Sequence, residues 1–190
     1  MCGAVAGLAV LSPVIAAVAL VVRLRMGRPL LFRQQRAGRG GRPITVTKVR
    51  TMTHARGSDG TQLADLDRLT PLGRRLRASS LDEVPQLWSV LKGDMSLVGP
   101  RPLPLAYVER YSAEQRRRLD AKPGITGWAQ VHGRNALSWP EKLALDVWYV
   151  DNASLRVDGE IVIRTLSAVL FRRGVSAEGH ATMPEFMGES

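Results

Sequence analysis

The sequence has a single cysteine, Cys2, so it can form no internal disulfide and no cysteine-based zinc site. A folded chain without disulfides fits a reducing compartment. Aromatic residues make up only 5% of the chain, too few for the ring stacking that holds single-stranded nucleic acid. There are no internal repeats. Acidic residues are scarce: 17 Asp and Glu face 27 Lys and Arg, a formal charge of +10. So basic a surface calls for an anionic partner, which could be nucleic acid, a phosphorylated small molecule or an acidic membrane. What remains is ordinary for a folded protein. The 190 residues are 45% hydrophobic and 23% charged, enough for one domain with a real core.

Charge is also missing from the first 22 residues, MCGAVAGLAVLSPVIAAVALVV. As a straight helix this run would be about 33 Å long, enough to cross a bilayer core of roughly 30 Å. Ser12-Pro13 lies in its middle. Pro13 cannot donate to the carbonyl one turn back and its ring pushes that carbonyl away, and a serine can bend a helix by bonding the preceding turn. The pattern admits a bent spanning helix, a re-entrant hairpin with two arms of about 15 Å, or a cleaved signal peptide, although the basic leader of a signal peptide is absent. Seven arginines follow without an acid among them: Arg23, Arg25, Arg28, Arg33, Arg36, Arg39 and Arg42. A polybasic stretch beside an apolar run binds acidic headgroups and marks the cytoplasmic side. It argues against a nucleic-acid arm.

The rest reads as mainly α with a small β element. Strands are predicted over 30–35 and 44–51, joined by a glycine-rich turn. Residues 54–67 form a polar loop. Thr70-Pro71 caps a helix over 72–78, and a second helix is predicted over 81–92, stopped by Gly93. Helices are predicted over 105–110 and 113–119. A Ser138–Glu141 capping box opens another through Tyr149. The last runs over 157–173 and is predicted to bury Ile161, Ile163, Leu166, Val169 and Leu170. The organisation is a membrane segment over 1–22 and a compact cytoplasmic domain over 23–190 with amphipathic helices at the membrane interface.

Chemistry concentrates in a few places. In Ser80-Leu81-Asp82-Glu83-Val84-Pro85 the pair Ser80 and Glu83 fits a capping box. The same residues also fit a nucleophilic aspartate beside a metal-binding glutamate, since aspartate can attack phosphorus. An anionic nucleophile meeting an anionic substrate needs a divalent cation, and Mg2+ is held by one or two carboxylates plus phosphate oxygens. In Gly99-Pro100-Arg101-Pro102 two prolines fix Arg101, which suits phosphate recognition. Lys48 and Arg50 alternate on one strand face, as phosphate ligands or as a solvated edge. Gly124-Ile125-Thr126-Gly127-Trp128 and Gly133-Arg134-Asn135 could cradle phosphate through backbone N–H groups. His132 stands alone and makes no metal site. Asp146 and Asp158 are single acids, ordinary taken one at a time.

Together, Leu11-Ser12-Pro13, Lys48-Val49-Arg50-Thr51-Met52, Ser80-Leu81-Asp82-Glu83, the run from Leu91 through Pro102 and the run from Lys122 through Asn135 resemble the monotopic phosphoglycosyltransferases, bacterial sugar transferases that start glycoconjugate assembly on polyprenyl phosphate. The resemblance spans residues 5–188. It implies a re-entrant helix broken at Ser12-Pro13, anchored in the inner membrane with the catalytic part facing the cytoplasm. It implies that Asp82 attacks the β-phosphorus of a UDP-sugar, UMP leaves, and polyprenyl phosphate then discharges the phosphosugar. Glu83 would hold Mg2+. Lys48, Arg50, Arg101 and Arg134 would contact substrate, with Arg77, Asp146 and Asp158 ordering the pocket. Downstream glycosyltransferases would take the product, and the oligomeric state is left open. The tail, Glu178-Gly179-His180-Ala181-Thr182-Met183 and Phe186-Met187-Gly188, is similar to the small branch acting on N-acetylated, bacillosamine-type UDP-sugars. Family members usually begin with a basic–aromatic–acidic stretch that this sequence lacks, a departure that touches the anchoring of the first arm. The reading from a different class, a non-catalytic basic membrane adaptor, has no use for the Asp82-Glu83 pair.

Overall fold

A computed structural model describes residues 2–133, 137–170 and 185–188 of the chain. The apolar N-terminus forms one helix, α1 (Cys2–Met26), that runs through Pro13 without ending there. Pro13 removes a single hydrogen bond, and the residues on either side keep helical geometry. Among the described residues no helix is long and apolar enough to cross a membrane, the described side chains of α1 beginning only at Ser12. Arg23 and Arg25 occupy the last turn, where the helix dipole favours cations.

Next come β1 (Leu31–Ala37) and β2 (Pro43–Val49), an antiparallel hairpin in which Phe32 faces Lys48 and Gln34 faces Val46. Both strands were legible in the sequence, though β2 stops two residues short of Thr51. The helices α2 (Asp65–Arg68) and α3 (Pro71–Ala78) follow, α3 capped by the Thr70 hydroxyl accepting from the Gly73 amide at 2.9 Å. The helix predicted over 81–92 is divided. Leu81–Gln86 is a 3-10 helix and only α4 (Leu87–Leu91) is α-helical. Pro85 has no N–H to give the Leu81 carbonyl, so the first turns tighten instead.

Two strands, β3 (Ser96–Val98) and β4 (Gly124–Thr126), pair in parallel. Between them lie a 3-10 helix (Leu105–Arg110), α5 (Ala113–Arg116) and a further 3-10 turn (Arg117–Asp120), so the helix predicted over 105–110 has its expected bounds but is tighter, and the one over 113–119 is part α and part 3-10. After β4 come α6 (Trp128–Val131), α7 (Trp139–Asn152) and α8 (Leu155–Leu170). α7 opens with the expected Ser138–Glu141 capping box.

Glycines fix how the loops meet. A Cβ on Gly124 would sit 2.1 Å from the Gly99 nitrogen, and one on Gly127 would sit 2.1 Å from the Gly99 oxygen. These glycines therefore let two backbones touch. The consequence is functional: the loop that ends in Arg101 is pressed onto β4.

The core is made of small contiguous clusters. Val22 of α1 is fully buried against Val49 and Leu76, so the end of α1 is packed into the rest of the fold. Tyr107, Tyr111, Leu143 and Phe186 form another cluster, the last residue returning from the C-terminal tail. α8 departs from expectation. Ile161 is buried beside Val98 and Tyr149, but Ile163 is 69% exposed and Leu166 57% exposed. Of the predicted buried face, then, Ile161 is covered and Val169 half-covered while Ile163 and Leu166 stand exposed, and the Leu170 side chain lies outside the described residues.

Candidate active site

The 3-10 helix Leu81–Gln86 carries the acidic pair. Ser80, just before it, has φ 56° and ψ 13°, a left-handed conformation uncommon for a residue with a Cβ. Its side chain makes no capping bond, so the capping-box reading is overturned. Glu83 turns instead to long-range cations. Its Oε1 accepts from Lys48 Nζ at 2.6 Å and from Arg101 Nη2 at 2.9 Å. Charge-assisted bonds from a half-buried Lys48 and an exposed Arg101 together outweigh one local cap of about 1 kcal/mol.

A 3-10 helix repeats every three residues, and the sequence uses this. Leu81 and Val84 face an apolar groove shared with Val14, Ile15 and Val18 of α1. Glu83 and Gln86, on another face, meet Lys48 and Arg101 from β2 and the proline-flanked loop. Asp82 lies between and is 6% exposed.

The two adjacent carboxylates have opposite electrostatics. Burial pushes Asp82 up, the charge of Glu83 adds to it, and Lys48, Arg77 and Arg101 only partly offset them; its pKa rises to about 6. Burial also pushes Glu83 up, but Arg101 and Lys48 more than reverse this and hold it at about 2. Burial, then Arg101, lowers the Lys48 ammonium against the pull of Glu83. Glu83 is therefore a fixed anion, and Asp82 is an anion only above mildly acidic pH. Groups whose environments push their pKa values apart divide the roles at a site.

The other predicted residues fall into three groups. Lys48, Arg101 and Arg77 belong to the site, Arg77 through its charge on Asp82 and through a 3.1 Å bond from Nε to the Thr51 hydroxyl. Arg50 does not. Its guanidinium donates to the carbonyls of Met26, Gly27 (3.0 Å) and Arg28 (3.2 Å), satisfying the C-terminus of α1, because the strand ends at Val49 and the side chain is free to turn away from Lys48. Arg134 lies outside the described residues.

Asp146 and Asp158 act at a distance. Asp146 accepts from Arg118 at 2.7 and 3.0 Å in a buried ion pair, and Arg118 also donates to the Arg101 carbonyl at 2.6 Å. Asp146 thus holds the backbone that aims Arg101. Asp158 accepts from the Tyr149 hydroxyl at 2.8 Å, tying α8 to α7 beside Val98. Arg118 was missed from sequence, since nothing local links it to Asp146 or Arg101. Gln34, Arg36 and Gln86 were also missed. The alternation of Phe32, Gln34 and Arg36 along β1 was the available signal.

Among the described residues no group of three or more His, Cys, Asp or Glu could hold a metal. Two adjacent carboxylates nonetheless suit Mg2+, which takes its remaining ligands from phosphate and water. Glu83 engages its cations through Oε1, leaving Oε2 available.

The site sets two adjacent carboxylates, Asp82 and Glu83, against the cations Lys48, Arg77 and Arg101. Residues 1–172 match the family described as "Bacterial sugar transferase". The chain belongs to that family. It is 52% identical over 168 residues to "Uncharacterized sugar transferase EpsL" of Bacillus subtilis, covering 88% of this chain and 83% of that protein. It is 45% identical over 174 residues to "UDP-glucose:undecaprenyl-phosphate glucose-1-phosphate transferase" of Caulobacter vibrioides, covering 85% and 64%. It is 34% identical over 188 residues to "Exopolysaccharide production protein ExoY" of Sinorhizobium fredii, covering 90% and 83%. Other relatives are longer: the chain spans 41% of "Galactosyl transferase CpsE" of Streptococcus agalactiae.

Proposed function

We propose that the chain moves a sugar-1-phosphate from a UDP-sugar to polyprenyl phosphate in two steps. In the first, an Asp82 carboxylate oxygen attacks the β-phosphorus and the bond to the α-phosphate oxygen breaks. UMP leaves with the electron pair, and the phosphosugar stays on Asp82. In the second, an oxygen of polyprenyl phosphate attacks the same phosphorus, freeing Asp82 and yielding polyprenyl-diphospho-sugar. The observation that carries this reading is the split pair. Glu83 is locked as an anion by Lys48 and Arg101, while Asp82, almost fully buried, is desolvated and close to the charges of Lys48, Arg77 and Arg101. A desolvated carboxylate is the better nucleophile.

Glu83, through its available oxygen, would hold Mg2+, which neutralises diphosphate charge when bound. Lys48, Arg101 and Arg77 would orient the phosphates in line with Asp82. Relatives include glucose-1-phosphate, galactose and N-acetylgalactosamine phosphotransferases acting on undecaprenyl phosphate, which supports the lipid acceptor. For the sugar, the tail similarity supports an N-acetylated, bacillosamine-type donor. The experiment is a panel of UDP-sugars assayed for UMP release with and without polyprenyl phosphate. Release of about one UMP per enzyme without acceptor is expected. Release that strictly requires acceptor would overturn the two-step route.

The membrane arrangement we propose is monotopic, with α1 re-entrant and the catalytic part on the cytoplasmic face. The exposed Leu20, Val21 and Leu24 of α1 and the exposed Ile163 and Leu166 of α8 support contact with lipid, and the arginines after α1 support an acidic surface. The lone Cys2 and a cysteine placed at Arg25 in a Cys2-free variant test this. Both should label from the cytoplasmic side, and opposite-side labelling would exclude a hairpin.

A further inference from the structure

A second cleft lies on the side of the 3-10 helix away from the apolar groove. It is an open surface cleft lined by Phe32, Gln34, Arg36, Lys48, Gln86 and Arg101, among others. Phe32, Gln34 and Arg36 alternate along β1, so they share one face of the hairpin, with Lys48 directly across from Phe32. The cleft is strongly cationic. Lys48 and Arg101 converge on the single carboxylate of Glu83. Arg36 has no acidic partner among the described residues, and its one side-chain bond goes to the Gln34 carbonyl oxygen at 2.6 Å. It is partly buried, and it lies near enough to Arg101 for the two guanidiniums to repel. Burying a cation beside another cation is costly unless an anion arrives to pair with it.

We propose that this cleft seats the nucleotide half of the donor and that Arg36 binds its phosphate; this deepens the function proposed above and rests on it. Two phosphates could claim the site, that of the nucleotide and that of the lipid acceptor. The lining decides between them. Amides of Gln34 and Gln86 and a 48% exposed Phe32 ring offer hydrogen bonds and a stacking face to a base and ribose. The groove on the opposite side of the helix is wholly apolar and suits an isoprenoid chain. Nucleotide and isoprenoid chain would then bind on different sides of the 3-10 helix, with UMP leaving before the lipid phosphate takes its place in line with Asp82.

The test uses the full chain in lipid nanodiscs with UMP as the probe. Wild type, Arg36→Lys and Arg36→Gln are compared by titration calorimetry and by KM for donor and for polyprenyl phosphate. Losing a charge-assisted bond to phosphate should weaken UMP binding about ten-fold or more in Arg36→Gln. Arg36→Lys should fall between, because it keeps the charge and loses the fork. The KM for polyprenyl phosphate should not move. Equal UMP affinity in all three proteins would overturn the assignment, as would a variant whose acceptor KM rises while UMP binding holds. A merely structural role would depress both ligands together and erase the Lys-over-Gln order. If wild type neither binds UMP nor releases it from any UDP-sugar, the proposed function itself fails, and not only this cleft.

Discussion

Asp82 should cost the enzyme stability, and the cost can be read from its pKa. The carboxyl rises from 3.8 to about 6 on folding. At about 1.4 kcal/mol per pH unit this is about 3 kcal/mol of destabilisation when Asp82 is ionised. The sign follows from linkage. A group whose pKa is raised by folding favours the native state fully below its unfolded value, and that advantage is lost as pH rises through the folded value. Asp82→Asn has nearly the same shape and never ionises. At pH 8 it should be more stable than wild type by about 2–3 kcal/mol, a rise in melting temperature of roughly 5–10 °C for a chain of this size. The gap should shrink as pH falls through about 6 and close only below the unfolded value of 3.8, where Asp82 is protonated in both states. The assay is a pair of melting curves across about pH 3–8. A variant no more stable than wild type at pH 8, or a gap that ignores pH, would refute the argument that burial and Glu83 strain this carboxyl.

Further outcomes follow from the same geometry. Acceptor-free UMP release should drop about ten-fold per unit below pH 6, as Asp82 takes up its proton; a rate flat to pH 5 would contradict the role given to it. Chelation of Mg2+ should abolish turnover, and full activity after exhaustive chelation would remove the metal from the account. Asp146→Ala leaves Arg118 charged and unpaired in the interior, so it should cost about 3–5 kcal/mol in unfolding experiments. Gly124→Ala should weaken the fold and the rate together, because its Cβ would strike the Gly99 nitrogen and push away the loop that carries Arg101; unchanged melting would show that the two backbones have room to part.

Features governed by adjacent residues were legible in the sequence. The Thr70 cap, the Ser138 box and the strands of the hairpin depend on side chains within a few positions, and the structure has them where expected. The sequence misleads where distant charges compete. Ser80 and Glu83 match a capping box in spacing, yet Glu83 bonds to Lys48, 35 residues earlier, and to Arg101, 18 later. Arg50 alternates correctly with Lys48 on paper, but the open carbonyls at the end of α1 draw it away from the site. Asp146 could be named as a site residue only through family resemblance. Its physical role runs through Arg118 to the Arg101 carbonyl, a chain of contacts that no local pattern encodes. On α8 the periodicity correctly marked apolar positions, but it cannot say whether protein or lipid covers them.

The central claim is that phosphorus is transferred to Asp82 before any lipid takes part. Wild-type enzyme mixed with UDP-sugar and Mg2+, quenched within milliseconds and digested, should show the mass of a phosphosugar on the peptide containing Asp82. The adduct should disappear on addition of polyprenyl phosphate and be absent from Asp82→Asn. An enzyme that turns over fully, yet never carries that mass on Asp82, would contradict the account and leave direct attack by the lipid in its place.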